Sequence, residues 1–193
     1  PGRRAFRYVS ASTSGGSIHN QWQENPELVD GGYNDDPKPG YGTHITGLGS
    51  VSGSGHSPNN TSSDQKNGLD WQPSGNPSMY SWQSSQAWIP VLNTEETTLS
   101  AGDAYAIVIR GSRAVELKSN TSPADNTVLR SRGTVAQGEV TVTPGISNDE
   151  FVLIGNPYHA AVDMDKVLSS NNGYNNFIYV FDPNLGGKLD TNS

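Results

Sequence analysis

The large apolar side chains of this chain are few and unevenly placed. Only 37 of its 193 residues are Leu, Ile, Val or Phe, and residues 1–86 hold 9 of them while residues 87–193 hold 28. All four tryptophans lie at or before Trp88. A separate domain of 86 residues with so few of these side chains would bury too little surface to offset its chain entropy. We therefore predict one domain over residues 1–193, with an aromatic, loop-rich part (1–86) and an aliphatic, strand-rich part (87–193) that supplies most of the aliphatic core.

The polar composition favours strands and turns over long helices. Gly, Pro, Ser, Thr and Asn make up 46% of the chain. These residues are common in turns and poor in helix interiors. The formal net charge is −7 with only 16% charged side chains, so charge repulsion is too weak to keep the chain unfolded. A folded, strand-rich domain is the expectation.

Short β-branched and aromatic runs separated by turn residues predict the individual strands. A hairpin is expected from strands at 104–110 and 114–118 with a turn at 111–113. Further strands are predicted at 4–10, 44–46, 139–143, 150–154 and 177–181. The one at 150–154 is expected to be a central strand. One short helix is predicted at 164–168, capped by Asp163. Strands at this spacing predict an all-β fold of β-sandwich or jelly-roll-like antiparallel sheets, with long loops and at most one or two short helices.

Composition also excludes several classes of function. No apolar run approaches the roughly 18 to 20 residues of a membrane span, so no membrane insertion is expected. The chain has no cysteine, which removes disulfides, zinc-thiolate sites and thiol catalysis together. A pI near 4.9 without a basic stripe argues against nucleic-acid binding.

The residues that could carry catalysis form no recognisable motif. The histidines are scattered, at His19, His44, His56 and His159. None has metalloprotease spacing, and no serine sits in a G-x-S-x-G pattern. Glu24 with Glu95 or Glu150 could form the acid pair of a glycosidase, but sequence does not give the distance between two carboxylates. We predict that the chain is not an enzyme.

Oxygen-rich loops are the weak candidates for a metal site. Asp35 and Asp36 lie in one such loop and Asp64 in another, but neither shows a calcium-loop pattern. Asp163 and Asp165 are better explained by the start of the predicted helix. We expect no cofactor, and leave Ca²⁺ open for the two loops.

Four aromatic residues form the best candidate for a binding surface. Trp71, Tyr80, Trp82 and Trp88 fall within 18 residues, among Gln, Asn and Ser. An aromatic ring can stack on the apolar face of a sugar while neighbouring amides and hydroxyls bond its hydroxyl groups. Where aliphatic residues are scarce, however, tryptophan must help to build the core. We favour a structural role for most of these rings.

Two motifs stand out near the end of the chain: residues 151–165 contain the pattern LxGNPYxxxxDxD, and residues 177–184 contain YxxDPN. They resemble a module found in large secreted and surface proteins of Bacteroidota, in which the first stretch precedes the second, an aromatic strand. Residues 4–10, 18–24, 39–47 and 99–105 resemble other parts of the module. A sorting domain for type IX secretion commonly follows such a module, so the resemblance implies export to the cell surface. It brings no catalytic residue with it.

Together these features predict an extracellular, non-catalytic structural, adhesion or assembly module. The expected partners are neighbouring modules or copies of the chain, joined through strand edges. The alternative is a carbohydrate-binding module that uses the aromatic region at residues 71–88 to bind a glycan. The GNPY motif itself is interpreted as an architectural corner after a strand.

Overall fold

The computed structural model describes residues 5–23, 28–29, 32–33, 42–47, 66–70, 75–83, 87–112, 115, 123, 125–141 and 151–170. The strands in these ranges are β1 (Ala5–Ser10), β2 (Thr13–Ser14), β3 (Gly16–Ser17), β4 (Leu28–Val29), β5 (Gly32–Tyr33), β6 (Met79–Gln83), β7 (Ala87–Pro90), β8 (Thr98–Leu99), β9 (Ala104–Ile109) and β10 (Thr134–Val135). Two short α-helices accompany them, α1 (Ile18–Gln21) and α2 (Met164–Ser170). The prediction of an all-β fold with antiparallel sheets is confirmed.

The main sheet has four antiparallel strands in the order β1-β9-β6-β7. Strand β9 pairs with β1 from Ala5↔Ile109 to Ser10↔Ala104, and with β6 from Met79↔Ile107 to Ser81↔Tyr105. Three two-stranded ladders, β2 with β10, β3 with β8 and β4 with β5, complete the described sheets. The strands predicted at 4–10 and 104–110 are thus present and are direct neighbours.

The hydrophobic core lies against one face of this sheet. Its buried residues are Ala11, Ile18, Trp22, Ile45, Leu69, Met79, Val91, Leu99, Tyr105 and Ile107. Six of these ten precede residue 87, but the Leu, Ile and Val residues among the ten divide evenly: Ile18, Ile45 and Leu69 come before it and Val91, Leu99 and Ile107 after it. Several large apolar side chains after residue 87 are exposed instead: Leu92, Val128, Val135, Phe151 and Ile154.

Trp22 fills much of this core from the C-terminal end of α1. Its side chain is 1% exposed and its ring meets that of Tyr105 edge to face, with centroids 5.7 Å apart and an interplanar angle of 82°. The indole Nε1 donates a hydrogen bond of 3.1 Å to Ser131 Oγ. One large aromatic residue with a satisfied polar atom thus replaces several aliphatic ones.

Buried polar side chains join two loop segments beneath the core. Gln23 Nε2 donates to the carbonyl of Gly68 at 2.8 Å and to Asp70 Oδ2 at 3.0 Å. The same carboxylate oxygen accepts from the amide of Ile45 at 2.8 Å. The strand predicted at 44–46 is reduced here to one parallel bridge between Thr46 and Asp70. The side chain of Asp70 takes up a backbone donor that a longer ladder would have paired.

Two further strand predictions fail in the described residues. Residues 139–141 and 151–154 form no strand, and Phe151 is 62% exposed where a central strand was expected. For residues 139–141, part of the cause is Tyr158, whose hydroxyl accepts from the amide of Val140 and donates to the carbonyl of Gly138. A side chain therefore takes the place of a neighbouring strand. The predicted strand at 177–181 and most of that at 114–118 lie outside the described residues.

The GNPY motif forms a tight corner, as interpreted from the sequence, but no strand precedes it at 151–154. Asn156 Oδ1 accepts from the amide of Tyr158 at 2.9 Å, and Asn156 Nδ2 donates to the carbonyl of Ala160 at 2.7 Å. A Cβ atom on Gly155 would lie 2.5 Å from the carbonyl oxygen of Gly102 and 2.8 Å from Ser10 Cβ. Glycine is needed here because the corner presses against the end of the main sheet.

The predicted helix is also present and runs slightly further than expected. Asp163 Oδ1 accepts from the amide of Lys166 at 3.3 Å, and the two side chains form an ion pair of 3.6 Å. This confirms Asp163 as the cap of α2. Val167 and Leu168 are only half-buried. Within the described ranges, neither helix has the length and apolar character needed to cross a bilayer.

Burial makes the stability contribution of Tyr105 depend on pH in the alkaline range. Removal from water, and secondarily the charge of Asp103, raise the pKa of the Tyr105 phenol from 10.0 to about 12. Burial also raises the pKa of Asp103 itself, against the opposing effect of a hydrogen bond from the Ser100 amide. Since the folded pKa of Tyr105 exceeds the unfolded one, its contribution to stability is complete below pH about 10 and is lost as the pH rises to about 12.

Replacing Tyr105 by Phe should remove this part of the pH dependence. We expect the free energy of unfolding of the wild type to fall by on the order of 2 kcal/mol more than that of Tyr105→Phe as the phenol titrates. Denaturant unfolding at several pH values between neutral and strongly alkaline measures the difference. Parallel pH curves for the two proteins would contradict the expectation.

Replacing Tyr158 by Phe should destabilise the corner. The variant loses the hydroxyl that bonds both Gly138 and Val140, and we expect a loss of about 1–2 kcal/mol in the free energy of unfolding. Tyr105→Phe at neutral pH is the matched control, because the Tyr105 hydroxyl makes no hydrogen bond within the described part of the chain. Equal stability of the two variants would show that the Tyr158 hydroxyl contributes nothing.

Candidate functional site

The face of the main sheet opposite the core carries a cluster of aromatic side chains. Phe6 and Tyr8 come from β1, Tyr80 and Trp82 from β6, and Trp88 from β7. They share one face because strand side chains alternate and the strands are held in register. We call these five residues the aromatic face.

Neighbouring rings in the aromatic face meet at steep angles. Phe6 and Tyr80 have centroids 5.9 Å apart and an interplanar angle of 61°, and Trp82 and Trp88 are 5.1 Å apart at 68°. Tyr8 and Trp88 are 5.5 Å apart at 40°. Edge-to-face contacts of this kind are favourable between aromatic rings. The rings therefore do not form the coplanar platform on which an extended ligand could lie flat.

The tilted rings instead surround a depression of about 260 Å³. Phe6, Tyr8, Tyr80 and Trp88 line it together with Ala106 of β9. Ala106 is paired with Tyr8 on one side and with Tyr80 on the other. Because its side chain is a single methyl group between two large rings, a hollow remains at the centre of the face.

Hydrogen bonds fix two of the rings. Trp82 Nε1 donates to the carbonyl of Phe151 at 2.7 Å, and the hydroxyl of Tyr80 donates to the carbonyl of Pro77 at 3.3 Å. The indole N–H of Trp88 makes no hydrogen bond with the described residues. Phe6 is 40% and Tyr8 46% exposed, while the other three rings are half-buried. The surface is thus accessible, mostly apolar, and held in shape by its neighbours.

The structure brings together three of the four aromatic residues singled out by the sequence. Tyr80, Trp82 and Trp88 lie half-buried on one face and outside the buried core cluster, so they are not the inward-facing core residues considered from the sequence. Trp71 lies outside the described residues. Sequence reasoning missed Phe6 and Tyr8, although their alternation within the strand predicted at 4–10 already placed them on a common face.

Of the histidines and acids considered for catalysis, His19 and Glu95 lie near each other, since a Cβ atom on Gly68 would lie 2.8 Å from His19 Nδ1 and 2.7 Å from Glu95 Cγ. His19 and His44 are buried, and His19 Nδ1 lies 3.2 Å from the carbonyl oxygen of Gly68. His159 is exposed, with its Nε2 atom 3.1 Å from Ser12 Oγ. Glu95 is exposed, whereas His56 and the two other acids of the glycosidase hypothesis, Glu24 and Glu150, lie outside the described residues.

The metal candidates are not placed. Asp35, Asp36 and Asp64 all lie outside the described residues. Among the residues that the structure does describe, no three His, Cys, Asp or Glu side chains are grouped so that they could hold a metal ion. Of the two remaining acids considered, Asp163 caps α2 and Asp165 lies in its first turn.

No family model, curated protein or solved structure matches this chain. Function therefore has to be inferred from the aromatic face and from the sequence motifs.

The two tryptophans of the β6–β7 hairpin offer a matched test of this arrangement. Trp82→Phe removes the donor to the Phe151 carbonyl, and we expect it to lower the free energy of unfolding by about 1 kcal/mol. Trp88→Phe removes an N–H with no partner in the described chain, so the part of its cost due to hydrogen bonding should be near zero. Denaturant unfolding measures both variants. A larger loss for Trp88→Phe than for Trp82→Phe would contradict the assigned hydrogen bond.

Proposed function

We propose that this chain is a non-catalytic β-sandwich module of a secreted or cell-surface bacterial protein, and that it acts in adhesion or assembly through the aromatic face. The aromatic face is the observation that carries the proposal. It gathers five large rings from three strands on the side of the sheet away from the core. Exposed apolar surface of this kind, concentrated in one place, is typical of an interaction site.

The motifs shared with surface modules of Bacteroidota support the extracellular part of the proposal. The GNPY corner ties the segment at 155–160 to the end of the main sheet through Gly155 and to Gly138 and Val140 through Tyr158. It therefore has a role in the fold that needs no bound ligand. A domain whose shape does not depend on a bound ligand is suited to a stalk or an adhesin exported by type IX secretion.

Assembly through strand edges is the second part of the proposal. In the order β1-β9-β6-β7, the strands β1 and β7 are outermost among the described strands. An extended segment of a neighbouring module could add to one of them by main-chain hydrogen bonds. Both strands also contribute rings to the aromatic face, so edge pairing and aromatic contact would act on the same partner.

Multivalent display tests this proposal. The protein would be coupled to fluorescent beads and applied to surfaces coated with mucin, with polysaccharide or with the protein itself, while sedimentation measures self-association in solution. We expect adhesion or self-association in the wild type and a loss of about tenfold for Phe6→Ser and Trp88→Ser, since a few buried aromatic contacts dominate most interfaces.

Leu92→Ser is the matched control, because Leu92 is exposed at 54% and does not line the depression. It should adhere like the wild type. A wild type that stays monomeric at high concentration and adheres to none of these surfaces would overturn the proposal. So would adhesion that persists in both aromatic variants.

A further inference from the structure

We infer that the depression in the aromatic face binds a single neutral sugar ring. This inference rests on the proposed function, because it assigns a ligand class to the surface through which adhesion is proposed. Unlike the flat stacking platform considered from the sequence, the site is a hollow, and its lining includes Phe6 and Ala106. The site is centred on Phe6, Tyr80, Trp88 and Ala106, and it joins β1 to the β6–β7 hairpin.

The size of the depression limits what it can hold. At about 260 Å³ it lies just below the roughly 300–1,000 Å³ of most small-molecule pockets. A single ring of six atoms with its substituents is of suitable size, and the tilted walls would contact its edges as well as one face.

The chemistry of the lining favours a ligand that is apolar on one face and polar at its rim. Ring faces and the Ala106 methyl group provide the apolar contact. The Trp88 indole N–H, which has no partner in the described chain, needs an acceptor once a ligand excludes water from it. A sugar supplies both, with C–H groups for the rings and hydroxyl groups for the indole. A purely aliphatic partner would leave this donor unsatisfied.

Charge selects neutral sugars over acidic ones. Among the described residues that line the depression, none carries a charge. The chain carries a formal net charge of −7, so a uronic acid or sulfated sugar would approach against an unfavourable field and would find no cation in the site. A neutral hexose or pentose unit within a glycan meets neither penalty.

Two of the walls, Tyr80 and Trp88, are held in place before any ligand arrives. Tyr80 is held by its bond to Pro77, and Trp82, which packs edge to face on Trp88, is held by its bond to Phe151. Antiparallel pairing fixes the strands beneath them. Binding therefore costs little side-chain ordering, which is the condition under which a small contact area gives measurable affinity.

Calorimetric titration with defined oligosaccharides tests the inference. The probes are neutral hexasaccharides of glucose, xylose and mannose, with an oligogalacturonate as the charged comparison. We expect the wild type to bind at least one neutral probe and to bind the charged one at least about tenfold more weakly. Trp88→Ala and Phe6→Ala should each weaken binding by about tenfold.

Two further variants separate the site from general damage to the fold. Ala106→Leu fills the hollow without removing a ring and should abolish binding, provided that its unfolding transition stays cooperative. Phe151→Ala removes an exposed ring outside the depression but keeps the carbonyl that accepts from Trp82, and it should bind within about twofold of the wild type.

Absence of binding to all three neutral probes would overturn the inference, as would full binding by Trp88→Ala or by a folded Ala106→Leu. If the beads still adhere to mucin or to the protein itself in that case, the proposed function stands and only the sugar assignment fails. If the beads adhere to nothing, both fail.

Discussion

Strand β9 pairs antiparallel with β1 on one side and with β6 on the other. This register decides which side chains of the main sheet face the core and which face outward. In its register, Ala106 stands between Tyr8 of β1 and Tyr80 of β6. Because side chains alternate along a strand, Tyr105 and Ile107 then point into the core. A slip of one residue would exchange the two faces and expose the core residues to water. The core and the aromatic face are therefore two consequences of a single register.

The chain compensates for its few aliphatic residues by burying aromatic and polar groups with satisfied hydrogen bonds. Trp22 occupies the core and donates to Ser131, while Gln23 and Asp70 bond each other and nearby backbone. Burying such groups is costly unless they are paired, and paired networks hold their segments in defined positions. This explains how residues 1–86, with only nine Leu, Ile, Val or Phe residues, provide more than half of the described core cluster.

Local patterns were sufficient for some elements of the fold and insufficient for others. Strand β9 and helix α2 follow from a β-branched run and from the cap at Asp163, which are properties of neighbouring residues. The apolar run at 150–154 misled, because periodicity does not distinguish a central strand from an irregular segment. Residues 139–141 also form no strand, and part of the cause is Tyr158, which bonds Gly138 and Val140 from a distant point in the chain. Such a side-chain contact has no signature in the sequence of the segment that it affects.

The candidate site, like the fold, was predictable from the sequence only in part. Trp82 and Trp88 lie six residues apart and face each other across a hairpin, so their contact is within reach of sequence reasoning. Phe6 approaches Tyr80 only because β9, more than twenty residues beyond β6, pairs with both of their strands. Composition also gave no sign of the hollow, which depends on one small residue, Ala106, at the centre of four large rings. A larger residue there would leave the aromatic pattern intact and remove the depression, so the shape of this surface depends on its smallest side chain.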